Sequence, residues 1–92
     1  MLVEWSDEAK ADLRNVLDYI ARHNPRAAEN LYDRVERCVS HLPQHPYLYK
    51  PSQRVRGTRE IVVHPNYVVF YQVTATSIEI LSVVHSSQQY PS

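Results

Sequence analysis

Ninety-two residues with ten Lys and Arg against ten Asp and Glu give a chain of zero net charge, long enough for one domain that buries about 60 to 65% of its unfolded surface. Neutrality removes any overall electrostatic attraction to nucleic acid or acidic membrane, and the single glycine, Gly57, argues against glycine-rich phosphate loops. The lone Cys38 excludes an internal disulfide and a cysteine-based zinc cluster and fits a reducing compartment such as the cytoplasm; with no basic-then-apolar leader and no apolar run of spanning length, neither export nor membrane insertion is expected.

In chain order, Leu2 to Trp5 alternates apolar and polar residues as a short first strand. Ser6 follows as an N-cap with Asp7 and Glu8 in the first turn, so a helix is expected from Asp7. Ala9, Leu13, Val16, Leu17 and Ile20 recur at spacings of three and four, opposite Lys10, Arg14, Asp18 and Arg22. Asn24-Pro25 ends that helix and begins a second, Asn24 as cap and Pro25 at the first helical position, which predicts a helical hairpin. In the second helix Ala28, Leu31, Val35, Cys38, Val39 and Leu42 form the buried face, while Arg26, Glu29, Asp33, Arg34, Glu36 and Arg37 face water or a partner. Pro43 and Pro46 stop it, and Tyr47, Leu48 and Tyr49 predict a loop ordered by aromatic packing.

Three further strands are expected at Ile61-Val62-Val63, Tyr67 to Tyr71 and Ile78 to Val84, all rich in β-branched or aromatic residues. His64-Pro65-Asn66 and Thr74 to Ser77 are short enough for hairpins, so antiparallel pairing is the default. The order is β-α-α-β-β-β: an α+β fold, read as a single domain over residues 1–92, with the N-terminal helical hairpin on one face of a mainly antiparallel four-stranded sheet.

Charge is unevenly spread. Residues 50–60 carry Lys50, Arg54, Arg56 and Arg59 against Glu60 alone, and residues 61–92 carry only Glu79. Arg54, Arg56 and Arg59 can hold a phosphate or a carboxylate in their guanidinium forks, or can be solvated loop charges; for Arg59 a structural ion pair with Glu60 or a partner contact is favoured over catalysis. His64 and His85 end two strands, where each is either a general acid or base or a hydrogen-bonded terminus; the His-Pro-Asn turn favours the structural role for His64. His23, His41 and His45 lie at helix ends or in the loop that follows. Tyr19, Tyr67 and Tyr71 are expected in the core with hydroxyls at its rim, and Tyr90 exposed in the tail. No histidine pair has metal-ligand spacing within one element, so neither metal nor other cofactor is expected.

Several segments resemble the RelE/ParE superfamily of type II toxins, and within it the ParE branch. They are Tyr19-Ile20 with Asn24-Pro25 and Ala27-Ala28; Leu42 with His45 to Tyr49; Gly57-Thr58-Arg59-Glu60-Ile61-Val62; His64-Pro65-Asn66-Tyr67 with Tyr71 and Val73; and Val83-Val84-His85 closing with Gln89-Tyr90-Pro91. The resemblance spans nearly the whole chain and implies a small cytoplasmic toxin, encoded beside an antitoxin that neutralises it in a hetero-oligomer. For the ParE branch it implies DNA gyrase as target, bound through Arg54, Arg56, Arg59, His85, Gln88, Gln89 and Tyr90, with no catalytic residue. The alternative is a RelE-like ribosome-dependent mRNA endonuclease, for which Arg56, Arg59, His85 and Tyr90 are the materials; a neutral chain favours the first, because phosphate contacts dominate RNA affinity. Where ParE relatives typically place Arg or Lys after the last strand, this chain has Ser86, Ser87, Gln88 and Gln89, which raises a third reading, a non-toxic antitoxin-binding relative. By analogy the antitoxin is expected along the helical hairpin, with Arg14, Arg22, Arg34 and Arg37 at the groove's rim, and on the exposed sheet edge.

Overall fold

The computed structural model describes residues 1–91. Its elements are β1 (Leu2–Trp5), α1 (Asp7–Ala21), α2 (Pro25–Ser40), β2 (Arg59–His64), β3 (Tyr67–Val73) and β4 (Ser77–His85). They form one sheet in the order β1-β4-β3-β2, with β2, β3 and β4 antiparallel and β1 parallel to β4. The arrangement is the expected α+β fold, the helical hairpin connecting β1 at one edge of the sheet to β2 at the other.

Local chemistry explains the helix starts. The Ser6 hydroxyl accepts from the Ala9 N–H at 3.0 Å, and Asn24 Oδ1 accepts from the Ala27 N–H at 3.1 Å, with Pro25 opening α2. Each cap contributes about 1 kcal/mol. Ser6 also donates to the Leu81 carbonyl at 3.0 Å. Past Trp5, where β1 ends, the Asp12 carboxylate of α1 accepts from the Val83 N–H at 3.0 Å. A helix side chain thus continues the hydrogen bonding of β4's outer edge.

The two sheet faces are covered unequally. Toward the helices, Ile61, Val63, Tyr67, Val69, Tyr71, Ile78, Ile80 and Val83 pack with Ala9, Leu31, Val35, Val39 and Leu42. Toward the other side, alternation places Val68, Phe70 and Val84, which pack with Val55 and Tyr90. Within the hairpin, α2 buries Ala28, Leu31, Val35 and Val39, whereas α1 buries only Ala9 and leaves Leu13, Val16, Leu17 and Ile20 partly covered.

The loop after α2 is ordered by aromatic contacts, as expected. Tyr71 donates to the Pro46 carbonyl at 2.8 Å, Tyr49 and Tyr71 meet edge to face at 6.4 Å, and the Tyr49 hydroxyl reaches the Cys38 carbonyl at 3.4 Å. Burial, aided by the contact with Cys38, pushes the Tyr49 phenol up to about 12. Burial also raises Tyr71, against a lowering from the Tyr49 backbone and nearby Arg59. Three expectations need correction. Leu42 is buried, but it follows the end of α2 at Ser40 rather than extending its face. Tyr19 stands at the margin of the α1 stripe and is 58% exposed, not in the core. Tyr90 is half-buried on the reverse face rather than free in the tail.

Candidate interaction surface

The arginine-bearing loop is a built structure. The Ser52 hydroxyl accepts from the N–H groups of Arg54 and Val55 at 3.0 and 3.1 Å and donates to Glu60 Oε2 at 2.6 Å. Gly57, at φ 83°, supplies the left-handed residue that turns the chain back. The Thr58 hydroxyl then donates to the Val55 carbonyl at 2.8 Å, and the loop closes on β2 through Glu60 N–H to the Lys50 carbonyl at 3.1 Å.

Arg59 does not pair with Glu60. Adjacent strand residues point to opposite faces, so Glu60 meets Ser52 while Arg59 turns to the preceding loop. Its Nη1 donates to the Tyr49 carbonyl at 2.7 Å, with a longer 3.5 Å contact to the Tyr47 carbonyl, and the guanidinium carbon lies 4.9 Å from the Tyr47 ring centre. Arg56 and Arg59 share a hollow of about 280 Å³ with Tyr47, Ser52, Thr58 and Val73. Lys50 and Arg54 line a neighbouring one of about 220 Å³.

The tail is tied to this loop. Arg54 Nη2 donates to the Ser86 carbonyl at 3.1 Å; Ser86 in turn donates its N–H to Asn66 O at 2.7 Å and its hydroxyl to Pro65 O at 3.1 Å. Beside it, Tyr67 lies between His64 and His85, at ring separations of 5.8 and 5.3 Å. His64 Nδ1 accepts from the Asn66 N–H at 3.0 Å, and His85 Nδ1 accepts from the Ser87 N–H at 3.1 Å. A backbone N–H only donates, so the neutral rings carry their proton on Nε2.

The residues expected for RNA cleavage do not converge. Arg59 lies opposite Tyr71 and His85 opposite Tyr67, four residues apart along β3, or about 13 Å at strand rise. Tyr90 is on the other face, stacked on Phe70 with ring centres 4.8 Å apart and planes at 27°. Arg56 accompanies Arg59; Gln88 and Gln89 are exposed beyond His85.

The helix arginines also part company. Arg14, Arg22 and Arg37 are exposed, and Arg34 reaches the Val63 carbonyl at 3.4 Å beside His64. The hairpin groove itself, about 380 Å³, is lined by Leu17, Ala21, Pro25, Ala28 and Tyr32 with Asp18, Glu29 and Asp33. Its charged lining is acidic, and none of Arg14, Arg22, Arg34 and Arg37 is among the residues that line it. A helical wheel places those carboxylates on the polar side, and only the way the two helices meet brings them to one seam.

Comparison with known proteins identifies the family. The family model described as ParE toxin of type II toxin-antitoxin system, parDE, matches residues 3–90. The chain is 31% identical over 90 residues to the putative toxin Y4kP of Sinorhizobium fredii, covering 97% of this chain and 92% of the relative. It is 30% identical over 86 residues to toxin RelE2 of Caulobacter vibrioides, covering 94% and 96% respectively. Its fold is similar to a chain of the chromosomal ParDE toxin-antitoxin system from P. aeruginosa, with a TM-score of 0.79, 24% identity, and coverage of 92% of this chain and 95% of that one. The chain belongs to the ParE toxin family of type II toxin-antitoxin systems.

Proposed function

We propose that this toxin acts in the cytoplasm by binding DNA gyrase and holding it in its DNA-cleaved state, and that a cognate antitoxin neutralises it. The observation that carries the reading is the dispersal of the candidate catalytic groups: Arg56 and Arg59 at one end of β3, His85 at the other, Tyr90 on the reverse face. Proton transfer and phosphate stabilisation need groups within hydrogen-bond reach of one scissile bond. A binding surface has no such requirement. Arg54 supports this over the third reading, in which an uncharged tail abolishes toxicity, because its guanidinium donates to the Ser86 carbonyl and puts a cation beside a tail that carries none.

The target-facing surface in this proposal runs from Arg56 and Arg59 through Arg54 to His85, Gln88 and Gln89. Tyr90 serves it by holding the tail on Phe70. Purified toxin should inhibit gyrase supercoiling and accumulate cleaved DNA, and Arg54→Gln should weaken this more than Arg14→Gln does. Gyrase insensitive to the toxin at micromolar concentration refutes the proposal.

One observation favours ribosome-dependent RNA cleavage as a second reading: His64 and His85 flank Tyr67 with Nε2 free of the backbone, near Arg34 and Arg54. That reading requires transcript cuts that His64→Ala or His85→Ala abolishes.

A further inference from the structure

We infer that the hollow where α2 meets the end of β2 binds a small carboxylate carried on an apolar body. The space is about 250 Å³, lined by Ala27, Asn30, Leu31 and Arg34 from α2 and by Val63 and His64 from β2. It shares no lining residue with the groove between the helices or with the hollows of the arginine loop.

The polar side chains around this space all offer donors. Arg34 touches the Val63 carbonyl through Nη1 at 3.4 Å, a long contact that leaves most of its guanidinium fork unspent. His64 Nδ1 accepts from the Asn66 N–H at 3.0 Å, so the neutral imidazole has Nε2–H as its donor. Tyr67, at a ring separation of 5.8 Å, packs beside that imidazole. Asn30 adds an amide with two further N–H groups. Among the described residues no carboxylate lines the hollow, so no lining side chain offsets the Arg34 charge.

The floor and the charge together select the class of anion. Leu31 and Val63 are buried and Ala27 is half-buried, an apolar lining that an inorganic anion cannot use. One guanidinium balances a single negative charge, whereas a dianionic phosphate would keep part of its charge uncompensated. A carboxylate lies bidentately on the planar fork of Arg34 with lone pairs to spare for the His64 N–H, while an aliphatic body covers Leu31 and Val63. A free aliphatic acid and the carboxyl end of a peptide present this same group.

Hexanoate stands for the first source and N-acetyl-leucine for the second, each titrated into isotopically labelled full-length toxin beside its uncharged amide. Both acids should shift the methyl resonances of Ala27, Leu31 and Val63 saturably and move the His64 Nε2 resonance; the amides should do neither. Saturation at lower concentration by acetyl-leucine assigns the site to a peptide terminus, and by hexanoate to a free acid; either upholds it. Arg34→Gln, at an exposed position, should raise the Kd of both acids about tenfold through loss of charged hydrogen bonds. Arg34→Lys keeps the charge without the fork and should fall between. Because His64 also holds its turn, its part is read in the parent protein, where nitrogen spectra should place the proton on Nε2. Equal shifts from acid and amide, no saturation by either acid, or full affinity in Arg34→Gln overturns the inference. Neither gyrase nor the ribosome enters this titration, so its outcome is separate from both readings of function.

Discussion

The two faces of the sheet are built on different terms. The helix-covered face holds a continuous core in which Val35, Leu42, Ile61, Val63, Val69, Tyr71, Ile78 and Ile80 are fully buried. Among the described residues, the buried apolar cluster of the reverse face is Val68, Phe70 and Val84, against which pack one side chain of a loop, Val55, and one of the tail, Tyr90. The first face therefore carries the stability of the fold, while the second uses a small apolar cluster to fix the position of two irregular segments. Those segments carry Arg54 and Arg56 on one side and Gln88 and Gln89 on the other. Of the residues proposed to face the target, Arg54, Arg56, Gln88 and Gln89 thus belong to segments held by the thinner cluster, where changes should alter the surface before they unfold the protein. Arg59 and His85, by contrast, lie opposite Tyr71 and Tyr67 of the helix-side core.

The difference can be tested by substitution, beginning with the deep core. Ile80→Ala should cost about 2 to 5 kcal/mol in chemical denaturation, because it leaves a cavity among residues that cannot relax into it. A loss under 1 kcal/mol would show that the helix-side core is not the stabilising one. Tyr90→Ala removes a stacked ring from a half-exposed position and should cost about 1 to 2 kcal/mol, mostly the aromatic pair with Phe70 and its buried area. Its clearer signature is local: amide exchange should rise in residues 86–91 and around Val55, and hardly at all in α2.

Alkaline titration probes the boundary between the loop and the main core. Burial raises the Tyr49 phenol from its ordinary value near 10 to about 12 in the folded state, so between these pH values the unfolded chain binds fewer protons than the folded one. The stabilisation is complete below pH 10 and is lost as pH rises toward 12. Tyr49→Phe should flatten that decline relative to the parent, and an unchanged pH profile would argue against burial of this hydroxyl. The smallest effect belongs to Ser82, whose buried hydroxyl has no hydrogen-bond partner among the described residues and lies opposite Phe70. Ser82→Ala should be neutral or stabilising by up to about 1 kcal/mol; a clear loss would reveal a partner beneath the reverse-face cluster.

The fold was legible where sequence carries a period or a cap. Ser6, Asn24-Pro25 and the three- and four-residue spacing of Leu31, Val35 and Val39 specify helices through local chemistry, and the β-branched runs specify strands. The loop arginines were legible as a charge concentration. Their partners were not: Arg59 meets the carbonyls of Tyr47 and Tyr49, and Arg54 reaches Ser86 across thirty-two positions, contacts that depend on tertiary placement alone. Tyr90 was unreadable for the same reason, because no periodicity links Gln89-Tyr90-Pro91 to Phe70. The acidic groove escaped because Asp18 belongs to one helix and Glu29 and Asp33 to the other, and neither wheel displays the seam between them.

Assaying gyrase and ribosomes side by side with the purified toxin is the most direct test of the proposal that this protein acts by binding. The account predicts loss of supercoiling with accumulation of cleaved DNA, weakened by Arg54→Gln and untouched by His64→Ala, and intact transcripts on the ribosome. Ribosome-dependent transcript cleavage that vanishes on replacing His64 or His85, with gyrase unaffected, would contradict it.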